Sequence, residues 1–443
     1  MSSFASVDQN FLHRLLFDDS SDEEEEDEEE LLLLAALSTG RGSHKRLGIQ
    51  SSMVFVRDRL EWENHVAALQ KEGKGSFRRM YRMDLESFIK LSSMVEPHFR
   101  VNEKMSKVRT TKGTITTEIT LHCLLRWLAG GSYIDIRLSA GISRSSFYRC
   151  IHGAMNAIST MEDISILSFP PDEDTQSLLA NDFRDVSGTS GILNGCVGVL
   201  DGFLLQTCTP SESGSNGNVK AYFSGHYHCY GVNVQGMCDS KCRFIYLAAA
   251  APGGCNDIVA FRRCGLQQLI NRLPVGRYIV GDNAYVCSEH LLTPFSGNEK
   301  FEARKDAFNF YISQLRIRVE MAFGMMSNKF QILKRPVTIG VQSIGKFLMT
   351  IGKLHNYCIN ERLARNADAL APVPRSRATY NRTSTSDDDS TNSTDEGSND
   401  YNYLPSDITI VDIEGSSMMR DLLVEKIASA GLRRPGTTDV QLC

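Results

Sequence analysis

The chain has 443 residues, 42% of them hydrophobic and 23% charged, proportions of an ordinary globular protein with length for two or three structural units. No run of about 18 apolar residues occurs, so no membrane span is expected, and no basic-then-apolar leader opens the chain, which argues against secretion. The net charge of -5 conceals a segregation: residues 1–44 carry -10, residues 366–443 carry -6, and the middle carries +11. A basic body between acidic flanks points to a polyanionic partner.

Residues 1–50 contain nine consecutive acidic residues, Asp22 to Glu30. Like charges at that density repel, so a disordered acidic segment is expected there. Residues 51–160 carry apolar residues at helical spacing, first over Arg57–Leu69 and Asp84–Val95. A dispersed basic stretch with Lys104, Lys107, Arg109 and Lys112 follows. Thr116–Ala129 then predicts an amphipathic helix, stopped by Gly130-Gly131, and Ser143 caps another helix. Two helices joined this way fit a helix-turn-helix, whose exposed face would offer Arg144, Ser145, Ser146 and Arg149 to DNA. An ordinary helical hairpin has the same pattern. Residues 161–194, polar and with Pro170-Pro171, read as a linker.

Residues 195–362 alternate strand and helix patterns. Val197–Thr207 is an apolar strand with one carboxylate, Asp201, inside it. His228–Cys238 and Arg243–Ala251 make a strand pair around the turn Asp239-Ser240-Lys241. Asn256-Asp257 opens a helix, Arg277–Gly281 is a short buried strand ending at Asp282, and Ala307–Phe330 is a long helix carrying Glu320. The order fits an α/β layered fold. Residues 363–443 are rich in Ser, Thr, Asp and Asn and read as a disordered tail, with a lone helix over Met418–Ala430.

Asp201 is the most informative residue. A carboxylate among Val, Leu and Phe is costly unless a basic side chain or a metal ion meets it. Asp282 lies 81 residues later and Glu320 a further 38. Two strand carboxylates and one helix carboxylate can converge if the strands are neighbours and the helix crosses their ends. Such a trio repels itself unless a cation sits within it, and oxygen-only ligation suits Mg²⁺ or Mn²⁺. Each residue also has a plainer reading. Asp282 beside Gly281 and Asn283 fits a turn, and Glu320 pairs at helical spacing with Arg316. The 12 cysteines are scattered without a Cys-x-x-Cys pair and read as reduced core residues. A zinc site from His226, His228, Cys229, Cys238 and Cys242 is not favoured, because alternation puts several of them on opposite strand faces.

Six pieces in order across residues 195–360 resemble the nuclease domain of PIF/Harbinger-type transposases and the nucleases derived from them. They are Val199-Leu200-Asp201-Gly202; Tyr230–Gln235 with Cys238-Asp239; Pro252–Asp257; Gly281–Tyr285 with Leu292–Phe295; Phe308-Asn309 with Arg316, Val319-Glu320 and Phe323-Gly324; and Leu354-His355-Asn356. The resemblance implies a ribonuclease-H-like DDE nuclease domain, a mixed sheet flanked by helices. It implies Asp201, Asp282 and Glu320 as catalytic metal ligands for Mg²⁺ or Mn²⁺, and cleavage and joining of double-stranded DNA at transposon terminal repeats. It further implies a helical DNA-recognition unit, a homo-oligomer when active, a nuclear location with or without a cytoplasmic pool, and a separate Myb-like accessory protein. Asp257 matches a recurrent family Asp with a second-shell or metal role, though a helix N-cap explains it equally. Asn256 stands where the family usually has His, and Ser327 where a Lys is common. The alternative function is a domesticated DNA-binding or scaffold protein that no longer cuts.

Overall fold

The computed structural model describes residues 58–73, 75–99, 114–165, 167–365 and 417–435. The acidic segment 1–50, the basic stretch around Lys104–Lys112 and the Thr383–Asp400 region lie outside the described residues. The helices are α1 (Trp62–Glu72), α2 (Ser76–Tyr81), α3 (Leu85–Val95), α4 (Thr117–Leu128), α5 (Tyr133–Ala140), α6 (Arg144–Thr160), α7 (Glu173–Arg184), α8 (Asp257–Arg263), α9 (Leu266–Ile270), α10 (Ala303–Lys329), α11 (Val341–Arg365) and α12 (Met418–Ser429). The strands are β1 (Cys196–Gln206), β2 (Phe223–Ser224), β3 (Cys229–Cys238), β4 (Phe244–Pro252), β5 (Tyr278–Val280) and β6 (Leu291–Leu292).

The sheet is mixed. β3 lies antiparallel to both β1 and β4, and β2 adds a short pairing to the start of β3. On the other side of β1, β5 and then β6 run parallel. β1 is buried from Cys196 through Leu200 and emerges half-buried at Asp201, so its apolar half anchors the centre of the sheet while its second half reaches a surface. Helices cover the sheet, and the architecture is mixed α/β.

The helical unit does not stand apart from the sheet. Helix α6 buries Phe147, Ile151, Ala154, Met155 and Ile158, and these join one continuous core with the sheet and α11. Helix α11 binds both sides. Thr350 donates to the Met155 carbonyl at 3.2 Å, and Tyr357 donates to the Ser87 carbonyl at 2.7 Å. Toward the sheet, Asn356 takes the Phe244 N–H at 2.8 Å and donates to the Phe244 carbonyl at 2.7 Å, while His355 Nε2 bonds the Cys242 carbonyl at 2.9 Å. The Leu354-His355-Asn356 motif thus clasps the β3–β4 hairpin.

Two expectations need correction. Within 161–194, read as a linker, α7 is capped by Asp172 and buries Leu179, Ala180 and Phe183 against the sheet region. Its one narrow apolar stripe is diluted by acidic and polar neighbours, which hides it from composition. Within 363–443, read as disordered apart from a lone helix, α11 extends to Arg365, and the expected helix, α12, is not alone but docks on α10 and buries Leu423, Val424 and Ile427. Ion pairs Arg304–Glu425 and Arg434–Asp306, both at 3.0 Å, and a Tyr311 hydroxyl bond to the Arg433 carbonyl at 3.1 Å hold it there. The Glu289 carboxylate accepts the N–H groups that open α12, which satisfies donors a helix start leaves free.

Candidate active site

The strand register brings the two aspartates together. Val199 of β1 lies beside Val280 of the parallel β5. Asp201 stands two residues further along β1 and Asp282 two residues past the end of β5, near enough for the charge of Asp282 to act on Asp201. Side chains alternate with period two along a strand, which puts Asp201 on the same face of β1 as Val199. The Oδ1 of Asp201 accepts the Gly202 N–H at 2.9 Å, and that of Asp282 accepts the Ala284 N–H at 2.9 Å.

Helix α10 brings the third carboxylate. Phe323 stacks on Phe203 of β1, with ring centroids 5.2 Å apart at 18°. It also lies over Gly236, where an added Cβ would stand 2.5 Å from the ring. Asp201 pairs with Gly236 across the ladder. The missing side chain therefore lets α10 approach the strand next to Asp201, and Glu320 sits one helical turn before Phe323. Arg316 joins the group: its Nη2 is 2.7 Å from Glu320 Oε1 and its Nη1 is 4.0 Å from Asp201 Oδ2. One guanidinium thus faces carboxylates from β1 and α10.

The charges are not balanced. The Asp201 carboxyl is pushed up to about 7, first by burial and next by the charge of Asp282. Asp282 is also raised, chiefly by burial, with Arg316 pulling the other way. Two carboxylates held together in a half-buried place call for more positive charge than one arginine at 4.0 Å supplies. The donor set, all carboxylate oxygen, fits a hard divalent cation. Among the described residues, however, no three His, Cys, Asp or Glu side chains already stand in a ligating arrangement. Glu320 is turned to Arg316, and about half of its side chain is exposed.

A polar network behind the pair is absent from the sequence reading. Gln235 and Asn233, alternate residues of β3, present their amides to one face. Tyr285 donates to Gln235 Oε1 at 2.7 Å, and Gln235 donates to Asn233 Oδ1 at 2.9 Å. Asp257 Oδ1 accepts from Asn233 at 2.9 Å and from Gln235 at 3.3 Å. Asp257 is therefore fixed beside β1, and the helix cap falls instead to Asn256, which accepts the Val259 N–H at 3.0 Å. Gly202 has a defined role, because a Cβ there would lie 2.3 Å from Asp257 Oδ1. The polar pair in Val-Asn-Val-Gln was the available signal. Of the residues offered to DNA, Arg149 is exposed. Ser145 and Ser146 share hydrogen bonds with Ser143 at the start of α6, and Arg144 lies over the Tyr133 ring, 5.9 Å from its centroid.

With this geometry in place, the class can be stated. Residues 200–356 match the DDE superfamily endonuclease model, so this part of the chain is similar to a DDE endonuclease domain. The chain is 23% identical over 276 residues to "Protein ALP1-like" of Arabidopsis thaliana, covering 58% of this chain and 64% of that protein. It is 25% identical over 185 residues to "Putative nuclease HARBI1" of Xenopus laevis, covering 41% of this chain and 49% of that protein. The chain thus spans less than two thirds of the length of either relative. No solved structure matches it. No helix among the described residues is long and apolar enough to cross a membrane.

Proposed function

We propose that the protein is a metal-dependent DNA endonuclease or transposase of the Harbinger type, with Asp201, Asp282 and Glu320 as its metal-holding residues. The observation that carries the reading is the pair of aspartates near the end of the β1–β5 pairing, both raised by burial and Asp201 also by the charge of Asp282, within the stretch that matches the DDE endonuclease model. Three antiparallel strands followed by two parallel ones support a ribonuclease-H-like sheet. Mg²⁺ or Mn²⁺ bound there would activate water or a 3′-hydroxyl and stabilise the leaving oxygen of a phosphodiester. Asp201 and Asp282 supply carboxylates for that charge. Glu320 completes the set when its side chain leaves Arg316, and the freed guanidinium then faces a phosphate. Asp257, fixed by Asn233 and Gln235, orients the strand from behind.

The substrate we propose is double-stranded DNA at transposon terminal repeats, gripped by the basic body and by Arg144, Ser145, Ser146 and Arg149 of a helix-turn-helix-like unit. Nuclear action as a homo-oligomer, with a Myb-like accessory protein, completes this reading. A nicking assay with Mn²⁺ on DNA bearing candidate terminal repeats tests it. Cutting by the wild type and not by Asp201→Asn is expected, and equal cutting by both rejects the site. The bond between Glu320 and Arg316 favours a second reading, a domesticated binding or scaffold protein. That reading predicts salt-sensitive DNA retention with no metal-dependent cutting.

A further inference from the structure

We infer that the cavity beside the aspartates is a seat for one nucleobase of the strand being cut, the base next to the scissile phosphate. This rests on the nuclease reading. The cavity is about 500 Å³, in the size range of small-molecule sites. Its floor is β1 just past Asp201, at Gly202 and Phe203. Asp257, Asn233 and Tyr227 also line it, as does Ala284, two residues past Asp282. A ligand within it is therefore bordered by residues adjoining both aspartates.

The chemistry of the lining selects the ligand. Among the described residues, no Lys or Arg lines the cavity and Asp257 does, so an anionic phosphate is repelled and a neutral planar group is admitted. Tyr227 is 58% exposed, so its ring is open to a ligand. It is held in place all the same. His226 meets it edge-on at 4.6 Å and 83°, and the Tyr227 N–H donates to Ser224 Oγ at 3.4 Å. His228 follows with φ 53°, closing the turn. A braced, exposed ring is a stacking platform, and stacking on it tolerates any base. Asp257 has acceptor capacity beyond its bonds to Asn233 and Gln235, matching the N–H groups of a base edge. Burial and the charges of Asp257 and Asp201 push the Tyr227 hydroxyl up. A base seated here leaves its own phosphate at the aspartates. Because a paired base must first leave the stack, the seat favours frayed or unpaired nucleotides.

The test is anisotropy with the full chain and two labelled 12-nucleotide single strands of equal charge, one of mixed bases and one wholly abasic. Wild type is expected to bind the base-bearing strand at least tenfold more tightly, and Tyr227→Ala to narrow that ratio by about tenfold. Tyr227→Phe should keep it. An unchanged ratio in Tyr227→Ala overturns the inference, as does equal binding of both strands by the wild type. Binding of neither strand overturns it too. Mn²⁺-dependent nicking of plasmid by the wild type is read separately. Nicking without the Tyr227 coupling rejects the base seat alone. Coupling without nicking rejects the nuclease reading and leaves a base-binding cavity.

Discussion

Replacing Asp201 by Asn should make the metal-free protein more stable above neutral pH. The substitution keeps the shape of the side chain and the oxygen that accepts the Gly202 N–H, and removes the charge. The Asp201 carboxyl is moved from its ordinary 3.8 to about 7 in the folded chain. Folded protein therefore holds a proton that unfolded protein has already released between about pH 4 and pH 7. Stability contributed by the protonated carboxyl is full below about pH 4 and is lost as pH rises to about 7. A displacement of that size corresponds to about 4 kcal/mol. The side chain is 22% exposed and solvent takes part of the charge, so a gain of about 2–4 kcal/mol is expected at pH 8 and almost none at pH 4. Urea unfolding of wild type and Asp201→Asn at pH 4, 6 and 8, with chelator present, measures it. A variant no more stable than wild type at pH 8, or one whose advantage is largest at pH 4, refutes the reasoning.

Mn²⁺ should raise the melting temperature of the wild type at pH 7.5, and calorimetry at pH 6 in two buffers should find protons released on binding; Asp201→Asn should show neither. Glu320→Gln should change urea stability by less than about 0.5 kcal/mol, because its bond to Arg316 is a half-exposed pair one helical turn apart, while Mn²⁺-dependent nicking is lost. Gly202→Ala places a Cβ 2.3 Å from Asp257 Oδ1 and should cost about 1–3 kcal/mol by overpacking, read as a lower urea midpoint. Ile427→Ala empties a fully buried position of α12 and should cost about 2–4 kcal/mol; an unchanged midpoint would mean that α12 contributes nothing to the folded core.

Asp201 was legible because a charge inside an apolar strand has few explanations. Its neighbour Asp282 was legible as a strand end, but their adjacency is a matter of register. A parallel pairing between residues some 80 apart cannot be read from either segment alone. Arg316 was visible as the helical partner of Glu320 and as part of the resembling helix motif, but its approach to Asp201 needs α10 to cross β1. That crossing depends on Gly236 and Phe323, which look unremarkable in sequence. Asn233, Gln235, Asp257 and Tyr285 form one network from three distant segments, and only the polar alternation of β3 announced it. Helix α7 escaped for the opposite reason, because its polar composition matches a linker. The α12 helix was expected over Met418–Ala430 but only as a lone element; its docking depends on specific distant partners, Glu289, Arg304 and Asp306.

The continuous core also bears on how such a protein would act on DNA. A grip on α6 and a cut at Asp201 could be separated by a flexible joint, as the expected division into domains implied. Helix α11 removes that freedom among the described residues. It is hydrogen-bonded to α6 through Thr350, to α3 through Tyr357, and to the β3–β4 hairpin through His355 and Asn356. The strand β3 in that hairpin pairs directly with Asp201. A displacement of α6 relative to the aspartates would have to break several buried hydrogen bonds, each leaving a costly unpaired group. The Arg149 surface and the carboxylates are accordingly fixed on one frame. If both touch the same duplex, the distance between the bases gripped and the bond cut is set by this frame.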